Sequence, residues 1–200
     1  MNDWVTAATA VLRNHPAVTS IEFAGSRSRG THAELSDWDF AVETSDFASL
    51  AQDLPALVQP LEPLGQQWEP MGRFPVHQVL LRGPTKIEYL FLDQSQEPVP
   101  ARAPTPETLA SINTHFWDWI WWITTKAAIG RTDLVSEHLA QVYDHLLRPM
   151  GIEEVPGSIR AAIEAFVARR DTWERELGVS VDRALEDEVR RGVDRVLGGR

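Results

Sequence analysis

The sequence predicts an α+β protein in which a mixed α/β sheet domain, flanked by helices, is followed by a C-terminal α-helical bundle. Residues 1–103 contain short β-type apolar runs separated by Gly and Pro, whereas residues 104–200 show successive amphipathic helical patterns with few breakers. The chain has 200 residues, of which 43% are hydrophobic and 24% charged. This is an ordinary globular composition, and the length suffices for one domain or two small ones.

The first half alternates between helical and strand patterns. Residues 3–13 predict a helix, because their apolar side chains share one face and Pro16 follows. The order continues as strand, strand, helix and hairpin, which predicts a mixed sheet. The remaining predicted ranges are 18–24 and 38–42 for the strands, 46–58 for the helix, and 76–81 and 86–92 for the hairpin, whose turn is 82–85.

A linker is predicted between the two halves, because the segment EPVPARAPTPET contains four prolines. It divides the chain into domains 1–103 and 104–200. The second domain is expected to hold about four helices joined by short connections, which favours antiparallel packing in a small bundle. Their predicted ranges are 106–129, 133–147, 158–177 and 181–197.

Composition excludes several classes of function. The chain has no cysteine, so it has no disulfide framework, thiolate zinc site or cysteine nucleophile. Its net charge of −10 argues against nucleic acid as the main partner, because that affinity depends on clustered Lys and Arg. No signal peptide is indicated, and the longest apolar stretch is too short to span a membrane. We therefore expect a soluble cytoplasmic protein with no membrane partner.

A Gly-Ser turn follows the first predicted strand, in the segment GSRSRG that begins at Gly25. Gly25 and Ser26 leave backbone N–H groups and a hydroxyl accessible at the strand end, which suits phosphate oxygens. The spacing to Gly30 imitates a P-loop, but Thr31 stands where that motif requires lysine. The P-loop interpretation is therefore rejected.

Two aspartates flank Trp38 at the start of the second strand. Alternate strand residues share a face, so Asp37 and Asp39 would place two carboxylates side by side while Trp38 points towards the core. Adjacent ionised carboxylates repel each other unless a cation lies between them, and Mg²⁺ prefers such oxygen ligands. The alternative is structural: Asp37 caps a turn and Asp39 faces solvent.

Glu88 is a charged residue within the otherwise apolar strand 86–92. A charge there is costly unless it is paired or coordinated. If this strand lies beside Asp37 and Asp39, the three carboxylates can hold metal and accept a proton from an attacking hydroxyl. The alternative is that Glu88 lies on the solvated face of an edge strand.

Together these motifs resemble the nucleotidyltransferases of the DNA polymerase β superfamily, especially small antibiotic adenylyltransferases of the aminoglycoside and lincosamide type. The resemblance covers residues 18–92, and the ordered combination of motifs is more specific than any one of them. It implies that the Gly25-Ser26 turn binds nucleotide phosphates and that Asp37 and Asp39 bind magnesium. It also implies that Glu88 is a metal ligand or the general base. Arg29 matches the family's GSxxRG form and serves either the phosphates or the turn.

The resemblance implies that an acceptor hydroxyl attacks the α-phosphate of a nucleoside triphosphate, usually ATP, and that pyrophosphate is released. The implied cofactor is Mg²⁺, and the implied partners are a nucleoside triphosphate and a small hydroxylated acceptor, with a homodimer as the implied assembly. Residues 1–103 would be the catalytic domain and residues 104–200 the substrate side. The alternatives are a nucleotide-binding regulatory or antitoxin-like protein, and a helical interaction protein in which the motif is accidental.

Lys126 is one of only two lysines, and it follows a tryptophan-rich segment at residues 117–122. At helical spacing, Trp119, Trp122 and Lys126 share one stripe. In one interpretation the tryptophans stack on a base or an acceptor ring and Lys126 contacts phosphates. In the other, the tryptophans pack the bundle and Lys126 stabilises the helix dipole near Gly130.

Overall fold

The computed structural model describes residues 3–83, 85–99 and 103–198. It consists of two compact units, Met1–Val99 and Pro100–Arg200. Pro84, in the predicted hairpin turn, and residues 100–102 of the predicted linker lie outside the described residues.

The first unit is a five-stranded mixed sheet with helices, as the sequence predicts. The strand order is β1-β2-β5-β4-β3; β2 and β5 are parallel, and the other neighbouring strands are antiparallel. The elements are α1 (Asp3–Arg13), β1 (Val18–Phe23), α2 (Gly25–Ser28), β2 (Trp38–Thr44), α3 (Phe47–Leu57), a 3₁₀ turn (Gln59–Leu61), β3 (Gly65–Trp68), β4 (Val76–Leu81) and β5 (Thr85–Leu90).

Strand β3 is absent from the sequence-based prediction. Its sequence, GQQW, has neither apolar alternation nor β-branched residues, so no local pattern marks it as a strand. It is extended because it pairs antiparallel with the fully buried strand β4, from Gly65 opposite Leu80 to Trp68 opposite His77. Tertiary pairing therefore decides its conformation.

One face of the sheet forms the core of this unit. Phe40 and Val42 on β2 are buried in a cluster with Ile87 and Tyr89 on β5. Helix α1 adds Leu12 and other apolar residues to the cluster, and the Tyr89 hydroxyl donates a hydrogen bond to the Ala8 carbonyl at 2.9 Å. Because side chains alternate along a strand, this packing turns the intervening residues of β2 and β5 to the opposite face. The candidate site lies there.

The second unit is helical. Its elements are α4 (Leu109–Ala128), α5 (Thr132–Val142) continuing into a π-helical turn (Tyr143–Leu147), α6 (Ile159–Leu177) and α7 (Ala184–Gly198). Helix α4 packs against α5, α6 and α7, and the rings of Phe116 and Phe166 stack at 3.7 Å. Ser158 caps α6 by accepting from the Ala161 amide, and Gly178 ends it with a positive φ. None of the described helices is long and apolar enough to cross a membrane.

Candidate active site

Three carboxyl groups lie on one face of two neighbouring parallel strands. Asp39 on β2 stands opposite Glu88 on β5 in the strand register, and the two side chains share a hydrogen bond. Asp37 lies immediately before β2, and its Oδ2 is 3.7 Å from the Nζ of Lys86, which also contacts Glu88. The structure thus brings together the three acidic residues that the sequence singles out.

Lys86 lies within this carboxylate cluster. It precedes Glu88 by two residues on β5, and its side chain is only 4% exposed. Its Nζ lies 3.0 Å from Glu88 Oε1 and 3.7 Å from Asp37 Oδ2. The sequence places Lys86 beside Glu88 along the chain, but the ion pair with Asp37 depends on strand pairing and was not predicted.

The carboxyl groups of Asp39 and Glu88 are shifted in opposite directions. Burial, followed by repulsion from the Glu88 carboxylate, raises the pKa of Asp39 above its ordinary value. Burial also acts to raise the pKa of Glu88. Attraction to Lys86 and hydrogen bonds from Lys86, Gln78 and Asp39 outweigh that effect and hold the Glu88 pKa below its ordinary value. Of the two carboxyl groups, Asp39 is therefore the one that holds a proton more readily.

A row of polar side chains extends from Glu88 across the sheet. The Gln78 amide on β4 donates to Glu88 Oε1 at 3.1 Å, and the Gln67 amide on β3 donates to Gln78 Oε1 at 3.0 Å. Each is the register partner of the next. Gln78 therefore fixes the Glu88 carboxylate, a role that sequence reasoning missed because it depends on register across three strands.

The Gly-Ser turn packs directly on Asp39. The Ala24 amide donates to the Asp39 carbonyl at 2.8 Å, and Gly25 follows with φ +69°. A Cβ at Gly25 would lie 1.6 Å from Asp39 Oδ2. Only glycine fits here, for two independent reasons: the left-handed backbone and the lack of space. Ser26 lies in the single helical turn α2, which Gly25 begins.

The two arginines of the turn act differently. Arg27 crosses to the loop before β2, donating to the carbonyls of Ser36 and Glu34 at 2.8 Å each, and its guanidinium lies over the Trp38 ring. Arg27 thereby anchors the chain that leads to Asp37, a role the sequence did not indicate. Arg29 is exposed, and its charge attracts the Asp39 carboxylate.

Lys126 belongs to the second unit, in the last turn of α4. Its ammonium lies 4.7 Å from the centre of the Trp122 ring, which is a cation–π contact. Its position in the last turn also suits the helix dipole. A phosphate contact by Lys126 stays a prediction.

The donor set suits a hard divalent cation. Asp37, Asp39 and Glu88 supply carboxylate oxygens on one face of the sheet, and such oxygens are ligands that magnesium prefers. A bound divalent ion would favour the ionised form of Asp39 and so act against the rise in its pKa. These three residues are therefore candidates for holding magnesium.

Comparison with known proteins finds one family that resembles the first unit. Residues 6–97, slightly less than half of the chain, match the family model described as a nucleotidyltransferase domain. The first unit is therefore similar to nucleotidyltransferase domains over the matched residues. This match confirms the resemblance drawn from the Gly-Ser turn and the three acidic residues, and every one of those residues lies within the matched range. A search of curated proteins finds no match.

Solved structures with a similar arrangement include two nucleotide-transferring proteins. One is the crystal structure of an aminoglycoside 6-adenyltransferase from Bacillus subtilis, with 11% identity, 95% of both chains covered and a TM-score of 0.41. The other is the polymerase core of TRAMP, an RNA surveillance complex, with 14% identity, 82% of this chain and 55% of that chain covered, and a TM-score of 0.38. Both TM-scores are below 0.5, so neither likeness carries a conclusion about substrate or mechanism.

Proposed function

We propose that the protein is a magnesium-dependent nucleotidyltransferase that moves AMP from ATP to a hydroxyl of a small molecule. The observation that carries this proposal is the cluster of Asp37, Asp39 and Glu88 beside the Gly25-Ser26 turn, within a matched nucleotidyltransferase domain. In this proposal Asp37 and Asp39 hold the metal and the turn receives the nucleotide phosphates. Bound magnesium would supply charge stabilisation for the phosphates and for the pyrophosphate that leaves.

The proposed reaction is an in-line substitution at the α-phosphorus. The acceptor oxygen forms a bond to phosphorus, the bond to the β-phosphate oxygen breaks, and pyrophosphate departs with that electron pair. Glu88 accepts the proton of the acceptor hydroxyl. Its lowered pKa keeps it ionised at neutral pH, and Gln78 orients its carboxylate.

The charge of the protein favours a neutral or cationic acceptor over a polyanion. Residues 1–100 carry 13 acidic and 6 basic side chains, and the whole chain has a net charge of −10. Acidic surroundings raise the local concentration of cations and repel anions. An aminoglycoside is therefore the leading acceptor class in this proposal, with lincosamides second.

The deciding experiment is a transfer assay with Mg²⁺, each α-labelled nucleoside triphosphate and a panel of aminoglycosides, lincosamides and a protein acceptor. We expect labelled product from ATP and a small acceptor, with pyrophosphate released in equal amount. Asp37→Asn and Asp39→Asn should each lower the rate at least about 100-fold. The matched control is Glu22→Gln, an exposed acidic residue of β1, which should retain the rate.

Two results would overturn the proposal. Transfer that survives Asp39→Asn in a folded protein would show that the reaction does not require the carboxylates. A stable complex with another protein, without transfer to any acceptor, would favour the regulatory or antitoxin-like alternative.

A further inference from the structure

The position of Lys86 raises a question that the transfer reaction does not answer. Lys86 is a nearly fully buried lysine whose ammonium lies among carboxylates expected to bind magnesium. Lysines are seldom buried unless they are paired, so the acidic cluster accounts for its burial. A divalent cation placed among the same oxygens would lie against this ammonium and be repelled by it.

We propose that the Lys86 ammonium is an internal cation that occupies the carboxylate cluster in the metal-free protein and is displaced from it when the divalent metal binds. The proposal rests on the proposed function, because that function places magnesium at Asp37 and Asp39. Lys86 is then neither a metal ligand nor a fixed part of the bound site. It competes with the metal.

Charge and geometry both support competition. Three carboxyl groups and one ammonium share one face of the sheet, so removing the ammonium makes the cluster more negative and more attractive to a divalent ion. The lysine stem has four flexible methylenes, which allows the ammonium to leave while the backbone of β5 stays paired. The Glu88 carboxylate keeps a hydrogen bond when the Lys86 ammonium leaves, because the Gln78 amide also donates to Glu88 Oε1.

Competition has a consequence for the order of binding. Without nucleotide, the displaced Lys86 ammonium is solvated by water instead of by the carboxylates. When the nucleotide is present, its phosphates offer a negative partner near the cluster. The metal should therefore bind the wild-type protein weakly alone and more tightly together with nucleotide.

The test uses Mn²⁺ as a probe for the metal, with free Mn²⁺ measured by its electron paramagnetic resonance signal. The full-length wild-type protein is compared with Lys86→Met without nucleotide, at low ionic strength. We expect Lys86→Met to bind Mn²⁺ at least about tenfold more tightly. Addition of a non-hydrolysable ATP analogue should tighten Mn²⁺ binding to wild type more than to the variant. The control is Arg82→Met, which removes an exposed positive charge from the same unit and should leave the dissociation constant within twofold.

Folding of the variant is followed by thermal unfolding in EDTA and in Mn²⁺, with Lys86→Gln as a second variant. We expect both variants to have a lower midpoint of thermal unfolding than wild type in EDTA. Mn²⁺ should raise the midpoint of the variants more than that of wild type, because the metal replaces the missing positive charge. Equal or weaker Mn²⁺ binding by Lys86→Met, in a wild type that does bind Mn²⁺ with nucleotide, would overturn this inference alone. Variants that stay unfolded in saturating Mn²⁺ would also overturn it. No Mn²⁺ binding by any of the proteins, with or without nucleotide, would overturn the magnesium site itself.

Discussion

The tightest single-residue constraint in the site is the contact between Gly25 and Asp39. Gly25 has φ +69° and a Cβ there would overlap Asp39 Oδ2, whereas Gly30 has φ +68° and open space around the same point. We expect Gly25→Ala to displace the Asp39 carboxylate and lower metal-dependent transfer at least about 100-fold. Gly30→Ala carries only the left-handed backbone cost of about 1–2 kcal/mol and should keep most of the transfer rate.

Both variants carry the strain of the left-handed backbone, but only Gly25→Ala also places a Cβ against Asp39. Comparing the two variants therefore separates the effect of backbone strain from the effect of the clash. The measurements are the transfer rate and the midpoint of thermal unfolding. If both variants lose transfer equally, the contact with Asp39 is not what the reaction requires.

His77 is one residue that should make stability depend on pH. It is buried on β4 against the Trp68 ring, its Nε2 lies 3.0 Å from Gln66 Oε1, and its Nδ1 has no hydrogen-bond partner among the described residues. Burial lowers its pKa from 6.5 to about 4. The folded protein therefore keeps His77 neutral over a range in which the unfolded chain takes up a proton.

This difference in pKa sets the direction in which stability changes with pH. Between about pH 6.5 and about pH 4 the unfolded state binds more protons, so the free energy of unfolding falls as the pH falls, by up to about 3 kcal/mol from this group. His77→Gln removes the effect, so its deficit relative to wild type should narrow on acidification. Denaturant titrations at several pH values measure this, with the exposed His32→Gln as control. A deficit that stays constant with pH would contradict the assignment.

At the scale of elements, the pairing of β3, β4 and β5 aligns Gln67, Gln78 and Glu88 in one row. Gln78→Met removes both hydrogen bonds of the middle member, at a cost of roughly 2 kcal/mol in the free energy of unfolding. It also removes one of the groups that position the Glu88 carboxylate, so the transfer rate should fall about tenfold. Gln67→Met removes the outer bond and leaves the bond between Gln78 and Glu88 in place, so it should change the transfer rate much less. Equal losses in the two variants would mean that the row does not act through Glu88.

The sequence could predict those elements whose signal is local. Alternation around Trp38 and Phe40 marks β2 and turns Asp37 and Asp39 together, and the apolar run around Glu88 marks β5. The parallel pairing of β2 with β5 joins distant segments of the chain. The sequence could therefore predict only that these carboxylates lie together if the two strands are neighbours. Strand β3, the anchoring of Gln78 and the ion pair between Lys86 and Asp37 all depend on pairing between distant segments. Hydrophobic periodicity is a property of a short stretch of sequence, so it carries no information about pairing between distant segments.

At the scale of the whole molecule, the distribution of charge governs how a nucleotide can approach. The net charge is −10, and residues 1–100 contribute −7 of it. ATP without metal is a polyanion, so it is repelled by this half of the chain. Added salt screens that repulsion.

We therefore expect nucleotide binding in EDTA to be weak and to strengthen as NaCl is raised from about 20 to about 200 mM. At the higher concentration the screening length is about 10 Å or less, which reduces the repulsion between the like charges of nucleotide and protein. With excess Mg²⁺ the affinity should rise and this gain with salt should disappear, since the metal supplies local positive charge. Asp37→Asn removes one negative charge from the cluster and should strengthen metal-free binding while abolishing transfer. Equilibrium dialysis with labelled ATP measures all three conditions. Tight binding in EDTA that salt weakens would mean that exposed arginines, not a metal held by carboxylates, recruit the nucleotide.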